Sequence, residues 1–147
     1  MKFTEAKQGR VFVLRLEDGD IIHETIETFA KEKSIKSAYL IALGGIDKES
    51  KLVCGPQDGR AETIVPNIIN INNVHEVAGT GTIFSDENGD PNLHMHLACG
   101  RSESSRVGCI RTGVRTWHIM EIILVELLDC SAKRLIDPKI GFKLLQP

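Results

Sequence analysis

One amphipathic helix among several strand-like segments constrains the fold of this chain more than any other feature. After the turn at 17–20, an apolar side and a charged side recur at helical spacing: Ile22, Ile26, Phe29 and Ala30 against Glu24, Glu27, Lys31 and Lys33. Asp20 is the expected N-cap residue, and the helix is predicted to run to about Lys33.

The remaining periodic segments are predicted to be strands. Their expected ranges are 10–16, 37–43, 50–54, 75–83, 93–99, 113–128 and 132–135. Because no strand-helix-strand rhythm repeats along the chain, a doubly wound parallel sheet is disfavoured. We therefore expect a fold of the α/β (α+β) class, in which one main helix packs on an antiparallel-rich mixed sheet.

Two glycines, Gly79 and Gly81, lie within one of the predicted strands. No helix follows them, so the segment lacks the helix N-terminus that a phosphate-binding loop requires. We interpret them as a β-bulge or as a close contact with a neighbouring strand. The polar segment 85–91 predicts a turn that joins this strand to the next one in a hairpin.

The size and composition of the chain indicate one ordinary domain. The 147 residues are 41% hydrophobic and 26% charged, and we expect a single domain over residues 1–147. Neither a leader-like start nor an apolar run that could span a bilayer occurs, so a soluble, cytoplasmic protein without a membrane partner is expected. The four cysteines form no C-x-x-C pair, and we expect them to be reduced.

Two histidines one residue apart, His94 and His96, form the most informative chemical motif. In a strand, residues i and i+2 project from the same face, which brings two imidazoles close enough to hold one ion. Leu93, Met95 and Leu97 occupy the alternate positions, as in a half-buried strand. The pair predicts half of a metal site. A polar sheet face explains the same pattern, because a metal requires a third and usually a fourth ligand.

A basic segment lies downstream of the histidines in a chain whose formal net charge is −2. It contains four arginines and one acid: Arg101, Arg106, Arg111 and Arg115, with Glu103. One interpretation is a solvated loop and strand edge, and the other is a surface that binds a ligand or phosphate. The acidic remainder of the chain does not favour DNA binding, nor does the lack of aromatic residues between the arginines.

The three other histidines have less specific interpretations. We expect His118 in the core or at an interface, and His75 at the start of a strand, from where either could approach the histidine pair. His23, in the first helical turn, is expected to be exposed. The order of serine, histidine and aspartate that marks many hydrolases does not occur, so an enzyme would depend on metal-bound water.

Five segments spread along nearly the whole chain carry a resemblance to a known family. They are Phe12-Val13-Leu14-Arg15-Leu16 with Asp18-Gly19-Asp20, Ala42-Leu43-Gly44-Gly45-Ile46, Gly79-Thr80-Gly81, Leu93-His94-Met95-His96 and Glu121-Ile122-Ile123-Leu124-Val125-Glu126-Leu127. In order and spacing they resemble the plants-and-prokaryotes-conserved (PPC) domain, in its standalone prokaryotic type. The resemblance implies a compact α/β fold that assembles as a homotrimer. In plant members the domain occurs together with AT-hooks, short basic segments that bind the minor groove of DNA. This sequence has no Arg-Gly-Arg-Pro core of an AT-hook, so a prediction of DNA binding would depend only on the resemblance to the family.

The resemblance also implies a metal site, built in standalone members from an H-x-H pair and a downstream histidine in a Gly-Gly-His-Leu segment. His94 and His96 match the pair. The closest local match to the third position is Cys109, whose thiolate suits zinc. An alignment without a gap instead places Arg111 there, which would give a cationic pocket for a carboxylate or phosphate. The third ligand stays open among Cys109, His118, His75 and water.

The sequence therefore predicts a PPC-domain protein of unresolved cellular role. It is expected to bind zinc or a similar divalent metal, or a small ligand, at His94 and His96. Two alternatives from other functional classes stay open: a DNA-associated regulatory protein that uses residues 101–115, and a small metal-dependent enzyme.

Overall fold

The computed structural model of the protein describes residues 1–111 and 113–147. Helix α1 spans Ile22–Glu32, and the strands are β1 Lys7–Glu17, β2 Ser37–Ile46, β3 Lys51–Pro56, β4 Pro66–Asn70, β5 His75–Ser85, β6 Pro91–Arg101, β7 Ser104–Ile110, β8 Thr116–Leu128, β9 Lys133–Ile136 and β10 Lys143–Gln146. No helix among these residues has the length and apolar character that crossing a membrane requires.

The strands form one large sheet and one small sheet. The large sheet has the order β1-β8-β2-β5-β6-β7-β3-β4, and β9 pairs with β10 in a C-terminal hairpin, residues 133–146. All strand pairs described in the two sheets are antiparallel. The expected class, with one main helix on an antiparallel-rich sheet, is confirmed.

Alternation along the central strands places the hydrophobic core between the large sheet and α1. In β2, Leu40 and Ala42 are buried, whereas Tyr39, Ile41 and Leu43 are exposed. The helix buries its apolar side against the same core: Ile22, Ile26 and Ala30. Full burial of a leucine or isoleucine side chain contributes roughly 1.5–3 kcal/mol, so this face of the sheet is the main source of stability.

Part of the opposite face of the sheet, across β1, β8 and β2, is apolar and exposed. The register places Val13 beside Ile123 and Ile123 beside Ile41, across β1, β8 and β2. Val13 is 81% exposed, Ile41 49% and Leu43 56%. We call this surface, formed by Val13, Tyr39, Ile41, Leu43 and Ile123, the open sheet face. Contiguous exposed apolar surface of this kind is typical of protein–protein contacts.

Gly79 and Gly81 permit close packing between β5 and β6. A Cβ atom would lie 2.9 Å from Met95 Cε at Gly79 and 3.0 Å from Met95 Cβ at Gly81. Because the register of β5 runs unbroken through both glycines, the interpretation as a close contact is confirmed and the bulge is wrong. A register shift occurs instead between Gly44 and Gly45, where β2 pairs with β8.

The prediction of Asp20 as the helix N-cap is wrong. Asp20 Oδ2 accepts a hydrogen bond from the Glu17 backbone at 2.8 Å, inside the preceding turn. Ile21 occupies the N-cap position and makes no side-chain capping bond. The Ile22 N–H donates to the Val114 carbonyl at 3.0 Å, so contact with the segment before β8 satisfies a donor that a cap would otherwise serve.

The structure also corrects the expected strands. The sequence prediction missed β4, β7 and β10, and the strand expected from residue 113 begins at Thr116. β7 lies in the basic segment, where polar residues obscure the strand pattern, and it is held by pairing with β6. The predicted hairpin is confirmed, because Ser85 and Pro91 close the antiparallel pair of β5 and β6.

Candidate metal centre

β6 projects His94 and His96 from one face and buries Leu93, Met95 and Leu97 on the other. The two Nε2 atoms are 3.2 Å apart, and the ring centroids are 5.0 Å apart. Two nitrogens bound to one tetrahedral zinc, each about 2.0–2.1 Å from the ion, lie roughly 3.3 Å from each other. The histidine pair therefore has the spacing of two ligands to one ion.

β7 brings Cys109 to the same point. The register places Cys109 directly opposite His96, and the ligand atoms of His94, His96 and Cys109 all lie within 4.8 Å of one another. In a tetrahedral zinc site, sulfur and nitrogen ligands are about 3.6 Å apart, a distance that small side-chain rotations can reach. The structure thus gathers the three residues that the sequence analysis proposes as metal ligands, and we call them the His–Cys cluster.

Arg111 lies beside the thiol of this cluster. Its Nη1 donates a hydrogen bond to Cys109 Sγ at 2.9 Å. The two residues were alternatives for one position in the sequence analysis, and the structure places both at the site. Burial raises the pKa of the Cys109 thiol, while the charges of Arg111 and Arg134 act in the opposite direction by favouring the thiolate.

The surroundings of His94 favour its neutral form. Burial lowers the pKa of His94, and the positive charges of Arg134 and Arg111 act in the same direction. A neutral imidazole offers a nitrogen lone pair to a metal, whereas a protonated one does not. The same environment therefore favours the ligating form of this histidine.

Arg134 of β9 is a residue of the site that the sequence analysis missed. Its side chain is buried, and Nη2 donates to Thr82 Oγ1 at 2.9 Å. Thr82 is the β5 residue opposite His94, so this bond holds the guanidinium over the histidine strand. Arg134 reaches the histidine pair because the C-terminal hairpin docks on the sheet. A local sequence pattern does not indicate a contact of this kind.

His75 and His118 lie away from the cluster. His75 Nδ1 is bonded to the Asn73 carbonyl oxygen at 2.8 Å. The β5 residue opposite His96 is Thr80, about 17 Å along the strand from His75. His118 is exposed on β8, which β2 and β5 separate from β6, and its ring packs on Trp117. Neither histidine belongs to the described cluster.

His23 lies in a cleft beside the cluster, so the prediction that it is exposed is wrong. The side chain is partly buried, and Nδ1 has no hydrogen-bond partner among the described residues. Burial lowers the pKa of this histidine. The cleft, of about 610 Å³, lies between α1, β6 and the C-terminal hairpin. We call it the arginine cleft and define it by His23, Glu27, His94, Arg111, Arg134 and Leu144.

The four arginines of the basic segment are spread over separate places. Arg101 ends β6 and donates to the Val74 carbonyl at 3.0 Å, and Arg106 lies on β7. Arg111 is five residues beyond Arg106, and Arg115 bridges to Ile21 beside the helix start. Thr112, within the same segment, lies outside the described residues. DNA binding through these arginines stays an untested alternative that the charge of the chain does not favour.

Solved structures of similar proteins share this fold. A plant- and prokaryote-conserved (PPC) protein of Pyrococcus horikoshii is 21% identical with a TM-score of 0.83, over 100% of this chain and 98% of its own. A metal-containing protein of Archaeoglobus fulgidus is 24% identical with a TM-score of 0.81, over 100% of both chains. A candidate DNA-binding protein of Bacteroides thetaiotaomicron is 21% identical with a TM-score of 0.76, over 96% of both chains.

The comparison with protein families assigns most of the chain. Residues 3–128 match the Plants and Prokaryotes Conserved (PCC) domain, and the C-terminal hairpin lies beyond the matched segment. No curated protein matches the chain. Since the family match spans β1 to β8, the chain belongs to the plants and prokaryotes conserved domain family, the PPC family that its motifs resemble.

Proposed function

We propose that the protein binds one divalent metal ion, zinc or a similar one, per protomer at His94, His96 and Cys109. The observation that carries the proposal is the convergence of three ligand atoms from two paired strands within 4.8 Å. Nitrogen and sulfur donors suit zinc, whereas magnesium and calcium prefer oxygen. The metal-containing relative from Archaeoglobus fulgidus supports the same proposal.

Three protein ligands leave one tetrahedral position open. Structural zinc sites are usually closed by four protein ligands, whereas an open position takes water or a ligand. His94 belongs both to the His–Cys cluster and to the lining of the arginine cleft. We therefore propose a metal site that serves the binding of a small ligand rather than the folding of the chain.

We further propose that the protein assembles as a homotrimer through the open sheet face. This surface carries Val13, Ile41, Leu43 and Ile123 without cover from the rest of the described chain. Its exposure to water is unfavourable, and burial between copies of the chain removes that cost. The motifs that resemble the PPC family imply the same assembly.

Cobalt substitution tests the metal proposal and the third ligand together. Protein purified without a histidine tag is expected to contain close to one equivalent of metal by elemental analysis. After exchange into cobalt, a near-ultraviolet thiolate-to-metal absorption band is expected, because Cys109 would bind as a thiolate. Cys109→Ser should abolish this band and weaken binding by at least about 100-fold, since even changes outside the ligand shell cost about 10–100-fold.

Cys54→Ser is the matched control for this experiment. Cys54 is an exposed cysteine on β3 that lies outside the His–Cys cluster, so its replacement should leave the band unchanged. Metal content near zero in the untagged protein would contradict the proposal. An undiminished band in Cys109→Ser would refute Cys109 as the third ligand.

A further inference from the structure

We propose that the arginine cleft binds a small organic anion, a molecule with a carboxylate or phosphate group, and that Arg134 is its main hydrogen-bond donor. The inference deepens the proposed metal function. The contact of the anion with Arg134 does not depend on that function, whereas a second contact, with the open position of the metal, rests on it. Arg134 and the apolar wall of the cleft belong to the C-terminal hairpin, beyond the segment that matches the family.

Arg134 is a buried cation that lacks a carboxylate partner. The residue is 6% exposed, and its Nε is buried without a hydrogen-bond acceptor among the described residues. Within the described ranges, no aspartate or glutamate forms an ion pair with it. Lys143 of the same cleft is different, because it pairs with Asp86 at 2.8 Å. Buried charges normally have a partner, so an unpaired guanidinium in a cleft indicates a ligand that supplies one.

The balance of charge in the cleft also favours an anion. With the metal bound, a divalent ion and the guanidinium groups of Arg111 and Arg134 would face one thiolate and the carboxylate of Glu27. Glu27 is already engaged, because its Oε1 accepts a hydrogen bond from the Leu93 backbone at 2.8 Å. A guanidinium binds carboxylate and phosphate groups through paired hydrogen bonds, which an inorganic halide cannot accept in the same way.

The cleft has the size and lining of a small-molecule site. Its volume of about 610 Å³ falls within the range of about 300–1,000 Å³ that is usual for such sites. Phe142, Leu144 and Leu145 of the C-terminal hairpin line one side and are partly exposed. His23 adds a buried Nδ1 without a described partner. An anion with an apolar body would contact the hairpin while its charged group reached Arg134.

Anion titration of the metal-free protein tests this inference independently of the metal proposal. Inorganic phosphate and acetate are the probes, chloride at equal ionic strength is the reference, and calorimetry with thermal shift provides the readout. At least one oxyanion is expected to bind and to stabilise the protein more than chloride does. Arg134→Met should weaken that binding about tenfold or more, because it removes hydrogen bonds to a charged group.

Two further variants make the result specific. Arg134→Lys keeps the charge but loses the planar fork, so weaker anion binding is expected even if Arg134→Met fails to fold. Arg101→Met is the matched control, because Arg101 lies outside the arginine cleft. Stronger binding of phosphate supports a phosphorylated ligand, and stronger binding of acetate supports a carboxylate ligand.

The inference is overturned if chloride stabilises the protein as much as both oxyanions do. It is also overturned if Arg134→Lys binds both oxyanions with unchanged affinity. Because these titrations use metal-free protein, failure of the metal proposal does not affect them. Repeating them after zinc loading should increase the oxyanion affinity about tenfold or more, since the ion adds a second anchor for the same group.

Discussion

The double replacement His94→Ala and His96→Ala is expected to release essentially all divalent metal from the protein. The two imidazoles supply both nitrogen donors of the cluster, and their Nε2 atoms are only 3.2 Å apart. Cys109 alone would leave an ion with one protein ligand, whereas zinc sites in proteins use three or four. The affinity should fall by well over about 100-fold, more than changes outside the ligand shell cause.

The measurement is metal content together with competition against a chromogenic chelator, both on untagged protein. His118→Ala is the control of the same residue type, because this exposed histidine lies outside the cluster. Both imidazoles project from the exposed face of β6. The metal-free double variant should therefore keep its stability to within about 0.5 kcal/mol, as surface substitutions usually do. Unchanged metal content in the double variant, or an equal loss in His118→Ala, would refute the assignment.

Local periodicity predicted much of the fold that surrounds this site. The alternation of Leu93, Met95 and Leu97 with the histidines specified which face of β6 is buried, because strand side chains alternate with a period of two. The helical spacing of Ile22, Ile26 and Ala30 likewise specified the buried side of α1. These features depend on residues close in sequence, so the sequence carries them directly.

Features that depend on long-range contacts were not predictable in the same way. Cys109 and Arg111 are two residues apart, so the choice between them depends on the register of β7 against β6, and a two-residue shift would exchange them. Arg134 reaches the site only because the C-terminal hairpin docks beside Thr82. The donor that Asp20 was expected to cap is satisfied by the Val114 carbonyl, far away in sequence. In each case a tertiary contact, which local sequence patterns do not indicate, determines the structure.

The site places candidate metal ligands and positive charges side by side. The candidate metal ligands are His94, His96 and Cys109, and the positive charges are those of Arg111 and Arg134. The two groups meet beside the last residues of β7, where Cys109 pairs with His96 of β6. A metal with an open position and two adjacent guanidinium groups is suited to hold an anion. The exposed arginines lie away from the cluster, Arg101 at the end of β6 and Arg106 near the start of β7, so a phosphate-contacting surface would have to form there separately from the metal site.

Replacing Ile41 with aspartate is expected to convert the proposed homotrimer into a monomer. Ile41 occupies the middle of the open sheet face, where the register places it between Thr80 and Ile123. In the separate chain this side chain is 49% exposed, so the aspartate can be hydrated and the fold should persist. Between copies of the chain, the carboxylate would be buried among apolar side chains without a partner, at a cost of several kcal/mol.

Sedimentation equilibrium at micromolar concentration measures this effect, with circular dichroism as the check on folding. The unmodified protein is expected to sediment as a trimer and Ile41→Asp as a monomer of unchanged secondary structure. Ile140→Asp is the matched control, because Ile140 is 47% exposed but belongs to the C-terminal hairpin and is not one of the five residues of the open sheet face. A monomeric unmodified protein would refute the assembly. If the Ile41→Asp variant stays trimeric, or if Ile140→Asp dissociates to the same extent, the contact between protomers lies on another surface. Contact through the open sheet face requires that Ile41→Asp dissociates the trimer more than Ile140→Asp does.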